Sequence, residues 1–302
     1  MQLDDLLYKP GLLANQRILV TGGGTGLGRV MAEAFLLLGA EVYLCGRRLA
    51  VVEQAAAELV TAHGGKAVGL GCDIRQPEAI SAMLDAIWAD GGALTGLVNN
   101  AAGNFISRTE DLSVRAFDAI ANTVFRGSFL VTLDCGKRWL AQGTRASVVS
   151  ILTTWVWNGG PFTVPSAMSK AGLAAMTQSL AVEWAGRGVR FNAIAPGAFP
   201  TEGMSARLNP GGSDAGLGID RNPMQRAGHM PELANLAAFL LSPGSEYVNG
   251  QVIAIDGGQY QSNGGNLSHL SAWSEDDWRR ARDSITRTDH ADKALRDTPA
   301  AP

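Results

Sequence analysis

The sequence predicts an α/β fold: one doubly wound parallel sheet of about seven strands in a single domain. Three observations lead there. Short apolar runs alternate along the chain with longer segments whose apolar residues recur at helical spacing. A glycine-dense loop joins the first apolar run to the first helical segment. Neither an internal repeat nor a Pro- or Gly-rich linker splits the alternation into two domains. Strands alternating with helices must bury both faces of their sheet, which is the parallel, doubly covered arrangement.

Residues 17–21 (RILVT) read as a buried strand, and 26–38 as a helix that stops at Gly39. A second strand over 41–45 leads into a helix through 47–62, a third over 67–72 into a helix at 77–89, and a fourth spans 94–99. A long helix is predicted over 113–142, a strand over 147–151, a helix over 166–185 and a strand over 190–195. A helix over 231–241 and a strand over 251–255 complete the set. Two regions break the rhythm. Residues 200–222 are rich in Gly, Pro, Ser and Asn and long for a connection, so they are expected to be either a lid or a disordered stretch. Beyond residue 262, Ser274 followed by three acids reads as an N-cap with a helix to about residue 287, and the last residues are expected to fray. The expected division is therefore 1–262 for the main domain and 263–302 for a C-terminal extension.

Composition narrows the function. Hydrophobic residues make up 46% of the 302 and charged residues 18%, which is too apolar for a disordered chain. A net charge of −3 gives no basic footprint for nucleic acid. The three cysteines, Cys45, Cys72 and Cys135, are odd in number and widely spaced. They suit neither a disulfide framework nor a metal site, and are expected to be reduced, small apolar residues of a cytoplasmic chain. The first residues lack the basic and apolar regions of a secretory signal, and no apolar run is long enough to span a membrane.

Five motifs carry chemistry. Thr21, Gly22, Gly24, Thr25, Gly26 and Leu27 belong to TGGGTGLG, between the first strand and the first helix. Glycines there let a pyrophosphate approach the backbone at a helix N-terminus, although a glycine turn alone can be purely structural. Arg47 and Arg48 stand at the end of the second strand, where an acid would accept the ribose 2′-OH of NAD. Two guanidinium groups suit a 2′-phosphate and so NADP; the alternative is a solvated helix start. Asp73 and Ile74 end the third strand, with Asp73 able to receive the adenine amino group. Asn100, Ala101 and Gly103 lie in NNAAG at the end of the fourth strand, where small residues let the cofactor pass close to the backbone. Ser166 and Lys170 are four apart and share a helix face. Lys170 there could reach the nicotinamide ribose, or could be a solvated lysine. Pro196, Gly197 and Thr201 follow the sixth strand and could carry the nicotinamide carboxamide.

Together, TGGGTGLG, NNAAG, S-x-x-x-K and PG-x-x-x-T resemble the short-chain dehydrogenase/reductase family over roughly residues 12–260. The resemblance implies a seven-stranded Rossmann-type domain, a nicotinamide cofactor, a homotetramer, and a catalytic Asn, Ser, Tyr and Lys with Tyr four residues before Lys. This chain has Ser166 where that Tyr belongs, and its four tyrosines, Tyr8, Tyr43, Tyr247 and Tyr260, lie elsewhere in the sequence. Thr153 or Thr154 stands where the family has its Ser. A seryl hydroxyl is a far weaker acid than a phenol, so ordinary ketone chemistry is put in doubt.

A narrower match accounts for the loss. NNAAGNFIS, GPFTVPSAMSKAG, LAVEW, RFNAIAPG and ELANLAAFL resemble the 2,4-dienoyl-CoA reductases, most of all their mitochondrial-type branch. That resemblance implies reduction of a conjugated acyl-CoA thioester with NADPH, with Ser and Lys at the positions of Ser166 and Lys170. It also implies a catalytic Tyr in the loop after the fifth strand, where this chain has Trp155, and an Asn where it has Arg126. Arg126 could stabilise charge on a thioester oxygen or pair with a surface acid. Three readings stay open: a dienoyl- or enoyl-thioester reductase, another short-chain dehydrogenase acting on a hydroxyacyl, terpenoid or alcohol substrate, and a catalytically silent NADP-binding scaffold.

Overall fold

The structure, a computed structural model, describes residues 1–201, 219–262, 270 and 272–284. It divides after Tyr260 into a main unit, Met1–Tyr260, and a second unit, Gln261–Pro302. The main unit holds seven parallel strands: β1 (Arg17–Thr21), β2 (Glu41–Gly46), β3 (Ala67–Gly71), β4 (Gly96–Asn99), β5 (Ala146–Ile151), β6 (Val189–Pro196) and β7 (Val252–Ile255). Their order is β3-β2-β1-β4-β5-β6-β7, the doubly wound arrangement that the sequence predicts. Strand order reverses between β1 and β4, so the loops leaving those two strands flank the switch point, where ligands of such sheets bind.

The sheet is buried because both faces are covered. α1 (Gly26–Leu37) and α8 (Met230–Leu241) cover one face with Met31, Phe35, Leu233 and Ala237 against Val20, Val98 and Val149. α3 (Pro77–Ala89) and α5 (Ser128–Gln142) cover the other with Leu84, Val131, Cys135 and Trp139 against Leu19, Leu97 and Val148. Alternate residues of β1, β4 and β5 thus face opposite layers, as strand periodicity requires. α2 (Leu49–His63) packs along β2 and β3. All three cysteines are free and buried.

The long helix expected over 113–142 is three pieces. α4 (Val114–Ala121) starts at Ser113, whose side chain caps Ala116 N at 3.1 Å, and passes into a π-helical turn, Asn122–Gly127, before α5 begins. Insertions of this kind widen one turn and redirect the residues in it. In the second unit a helix runs over 275–284. Ser274 Oγ accepts from Asp277 N at 3.2 Å and Asp277 accepts from Ser274 N at 2.9 Å, a reciprocal cap. The expected lid over 200–222 falls mostly on residues 202–218, which lie outside the described residues, as does the helix beyond residue 284.

Candidate active site

Thr21 and Asn100 stitch the two loops of the switch point together. The Thr21 hydroxyl accepts from Asn100 N and Ala101 N at 3.0 Å each and donates to Val98 O at 3.2 Å. Asn100 Nδ2 donates to Thr21 O at 2.9 Å and Gly22 O at 3.3 Å. Both residues were expected at the cofactor site, and their side chains shape the loops there by bonding each other's backbone. The glycine loop fits a pyrophosphate. Gly22 sits at φ +66°, and a Cβ on Gly28 would lie 2.5 Å from Gly22 O, so the loop and helix close only on glycine. The α1 N-cap, Thr25, makes no side-chain cap bond, leaving the first amides of a 12-residue helix open to an anion. A Cβ on Gly26 would meet the Thr201 side chain at 3.8 Å, which brings the turn after β6 to the same place.

Arg47 and Arg48 are exposed at the exit of β2, and Arg48 is the N-cap of α2. Next to them, Asp73 is held below the usual carboxylate range by Arg75, whose side chain approaches both carboxylate oxygens, with its Nη2 2.5 Å from Oδ2, and whose own backbone N–H donates at 3.1 Å; Arg47 adds to the effect. The expected adenine acceptor is therefore already engaged by a neighbouring guanidinium. Ile74 packs against Gly127, where a Cβ would come within 2.8 Å of it.

Arg126 departs from its expected catalytic role. The π-helical turn sends its side chain to the exposed surface, where Nη1 donates to the Arg75 carbonyl at 2.7 Å. Arg126 and Gly127 thus both contact the Ile74–Arg75 loop after β3, and the hydrogen bond of Arg126 goes there rather than to Ser166 or Lys170.

Ser166 and Lys170 lie on α7 (Val164–Glu183). Lys170 is only 6% exposed, and its ammonium donates to the Ile151 carbonyl at the end of β5. Burial lowers its pKa to about 8. This excludes the reading of a solvated lysine. Ser166, one turn earlier, is buried, and its hydroxyl has no hydrogen-bond partner among the described residues. Thr153 follows β5, and α6 (Trp155–Asn158) follows Thr153 and packs against α7. Trp155 is half-buried beside Gly160, where a Cβ would lie 2.9 Å from the indole.

A small recess that the motifs did not reveal lies at the start of α7, between it and the loop after β4. Phe105, Leu112, Ile120, Phe162 and Pro165 make it mainly apolar, with Asn104 and Thr109 among the polar groups in its wall. Phe162 holds φ +61°, unusual for a bulky residue, and its carbonyl accepts from Ser107 N at 2.9 Å, which locks the α7 approach to the loop after β4. Asn104 was not among the expected site residues. Its only signal was its place directly after NNAAG.

The comparisons agree with this geometry. The family model described as "Enoyl-(Acyl carrier protein) reductase" matches residues 22–260. A Caenorhabditis elegans protein named a probable 2,4-dienoyl-CoA reductase 3, (3E)-enoyl-CoA-producing, is 43% identical over 90% of this chain and 90% of its own. The peroxisomal 2,4-dienoyl-CoA reductase of Danio rerio is 35% identical over 87% of this chain and 88% of its own. The solved gluconate 5-dehydrogenase of Burkholderia cenocepacia, in complex with NADP and tartrate, superposes with a TM-score of 0.77 at 28% identity, covering 82% of this chain and 96% of that one. The chain belongs to the short-chain dehydrogenase/reductase family of oxidoreductases, and within it is similar to the 2,4-dienoyl-CoA reductases.

Proposed function

We propose that this protein reduces a conjugated 2,4-dienoyl- or enoyl-CoA thioester, with NADPH as reductant. The observation that carries the reading is the buried Lys170 at the end of β5, with a buried Ser166 one turn away and no phenol at position 166. The names of the relatives point to that substrate class. Reduced nicotinamide supplies a hydride when bound. The chain's own groups do the rest. Lys170 would hold the nicotinamide ribose. The hydroxyls of Ser166 and Thr153, and the Trp155 indole N–H, are the donors available to a thioester oxygen that gains charge as hydride enters at carbon. That chemistry tolerates the missing Tyr, because no oxygen needs to be protonated, and a proton from water completes the reaction at carbon.

Arg47 and Arg48 support NADP over NAD, since no acid stands at the exit of β2 to claim a ribose 2′-OH. The exposed Phe125, Phe129, Met168 and Val182, on the π-helical turn, α5 and α7, support a homotetramer that covers them. Three free, buried thiols support a cytoplasmic location.

The deciding experiment follows NADPH oxidation by the loss of the reduced nicotinamide's near-ultraviolet absorbance, with trans-2,trans-4-hexadienoyl-CoA and, in parallel, acetoacetyl-CoA. Turnover of the dienoyl thioester alone is expected. Turnover of acetoacetyl-CoA alone would assign a hydroxyacyl dehydrogenase. NADPH binding without turnover of either would assign a silent scaffold.

A further inference from the structure

Of the four tyrosines, three sit away from the catalytic edge of the sheet. Tyr8 donates to Asn235 O near the N-terminus, Tyr43 is buried in β2 against Arg17 and Asp90, and Tyr247 is fully exposed before β7. Tyr260 is different. Its ring stacks on Trp157, with centroids 4.4 Å apart and planes 24° from parallel.

The strand register says where that stack lies. Ile151 of β5 pairs with Ile194 of β6, and Pro196 of β6 pairs with Ile255 of β7. Thr153, Pro196 and Ile255 therefore leave the sheet at one level. Trp157 comes four residues after Thr153, and Tyr260 five residues after Ile255. β5 and β7 are not neighbours; β6 lies between them, so their exits are about 10 Å apart. A contact between Trp157 and Tyr260 therefore bridges the exits on either side of the end of β6. That end is the Pro196–Gly197 turn expected to carry the nicotinamide, and Gly197 N donates to Ile255 O at 3.0 Å. The Tyr260 backbone is held there by its N–H, which donates to Asp256 Oδ2 at 2.8 Å, and Asp256 is itself buried. The Tyr260 hydroxyl has no hydrogen-bond partner among the described residues, so its donor is free for a ligand.

We propose that Tyr260 supplies the phenolic donor missing at position 166, giving a hydrogen bond to the thioester oxygen of the substrate from the β7 side of the site. Trp157 acts through Tyr260 as a positioning residue, holding the ring in the stack. A phenol is returned to the catalytic edge by tertiary structure from a place in the sequence where no motif marks it.

This assignment rests on the thioester-reductase reading, and the test separates the two. Tyr260→Phe keeps the ring and its stack and removes only the hydroxyl. Three quantities are measured for wild type and variant: the melting temperature, the affinity for hexanoyl-CoA by calorimetry in the presence of oxidised NADP, and kcat with trans-2,trans-4-hexadienoyl-CoA and NADPH. The variant is expected to melt like wild type, to bind hexanoyl-CoA about 10-fold more weakly, and to lose about 100-fold in kcat. Trp157→Phe, which preserves stacking, is expected to lose far less, and Trp157→Ala to approach the Tyr260→Phe rate. An active wild type with an equally active Tyr260→Phe variant overturns the role of Tyr260 alone. A wild type that neither reduces hexadienoyl-CoA nor binds hexanoyl-CoA overturns the reductase reading, and the role of Tyr260 with it.

Discussion

The Lys170 ammonium donates to the backbone carbonyl of Ile151, the last residue of β5, and no carboxylate among the described residues shares its charge. Burial therefore acts on the amine unopposed and lowers its pKa to about 8 from the usual 10.5. A base whose folded-state pKa is depressed is charged at a cost below that pKa. Between about 8 and 10.5 the unfolded chain binds the proton and the folded chain does not, so stability rises with pH through that window. In the cofactor-free protein, Lys170→Met is expected to be more stable than wild type at pH 7, by an amount on the order of 3 kcal/mol. The difference should shrink as pH rises from 8 to 10.5. Denaturant melts across that range measure it, and a pH-independent difference would show that burial does not strain the lysine. The same group ties activity to its charge: turnover should fall as pH rises through about 8, and Lys170→Ala should abolish it.

Arg47 and Arg48 stand exposed at the β2 exit beside Asp73. Replacing both with Ala should weaken NADPH binding at least 10-fold, roughly the loss of one or two charge-assisted hydrogen bonds, and leave NADH binding nearly unchanged. Titration of each cofactor against the double variant checks this. Equal losses for both cofactors would remove the 2′-phosphate from the argument.

Gly28 faces the carbonyl of Gly22 so closely that a Cβ would sit 2.5 Å from it and from Asn100 Nδ2. Because a backbone oxygen cannot step aside cheaply, Gly28→Ala should push α1 away from the loop. A loss of about 1–3 kcal/mol in stability is expected, with a larger loss of affinity for NADPH. A melt and a binding titration on the same preparation check both; normal affinity would show that the loop adapts.

Arg126 holds the Arg75 carbonyl rather than the reacting centre. Arg126→Ala should therefore leave kcat within about twofold and raise the Kd for NADPH a few-fold, the share of one hydrogen bond that orders the loop after β3. A large drop in kcat with unchanged Kd would return Arg126 to the oxyanion.

Local signals determined much of this protein. Each strand and most helices follow from apolar periodicity, because residues that must be buried on a sheet or a helix face recur at the spacing of that element. The glycine loop, the arginines after β2 and the Ser166–Lys170 spacing were legible for the same reason: each is a short-range pattern whose geometry a few consecutive residues impose. Tertiary structure decided what depends on distant parts of the chain. Only packing shows that Lys170 is buried on Ile151, that Asp73 is engaged by Arg75, and that the π-helical turn carries Arg126 to the loop after β3. It also decided that Thr21 and Asn100 spend their side chains on each other's loops. And it brought Tyr260, 94 positions beyond Ser166 in the sequence, into a stack with Trp157, because parallel strands place residues far apart in sequence at one edge of the sheet.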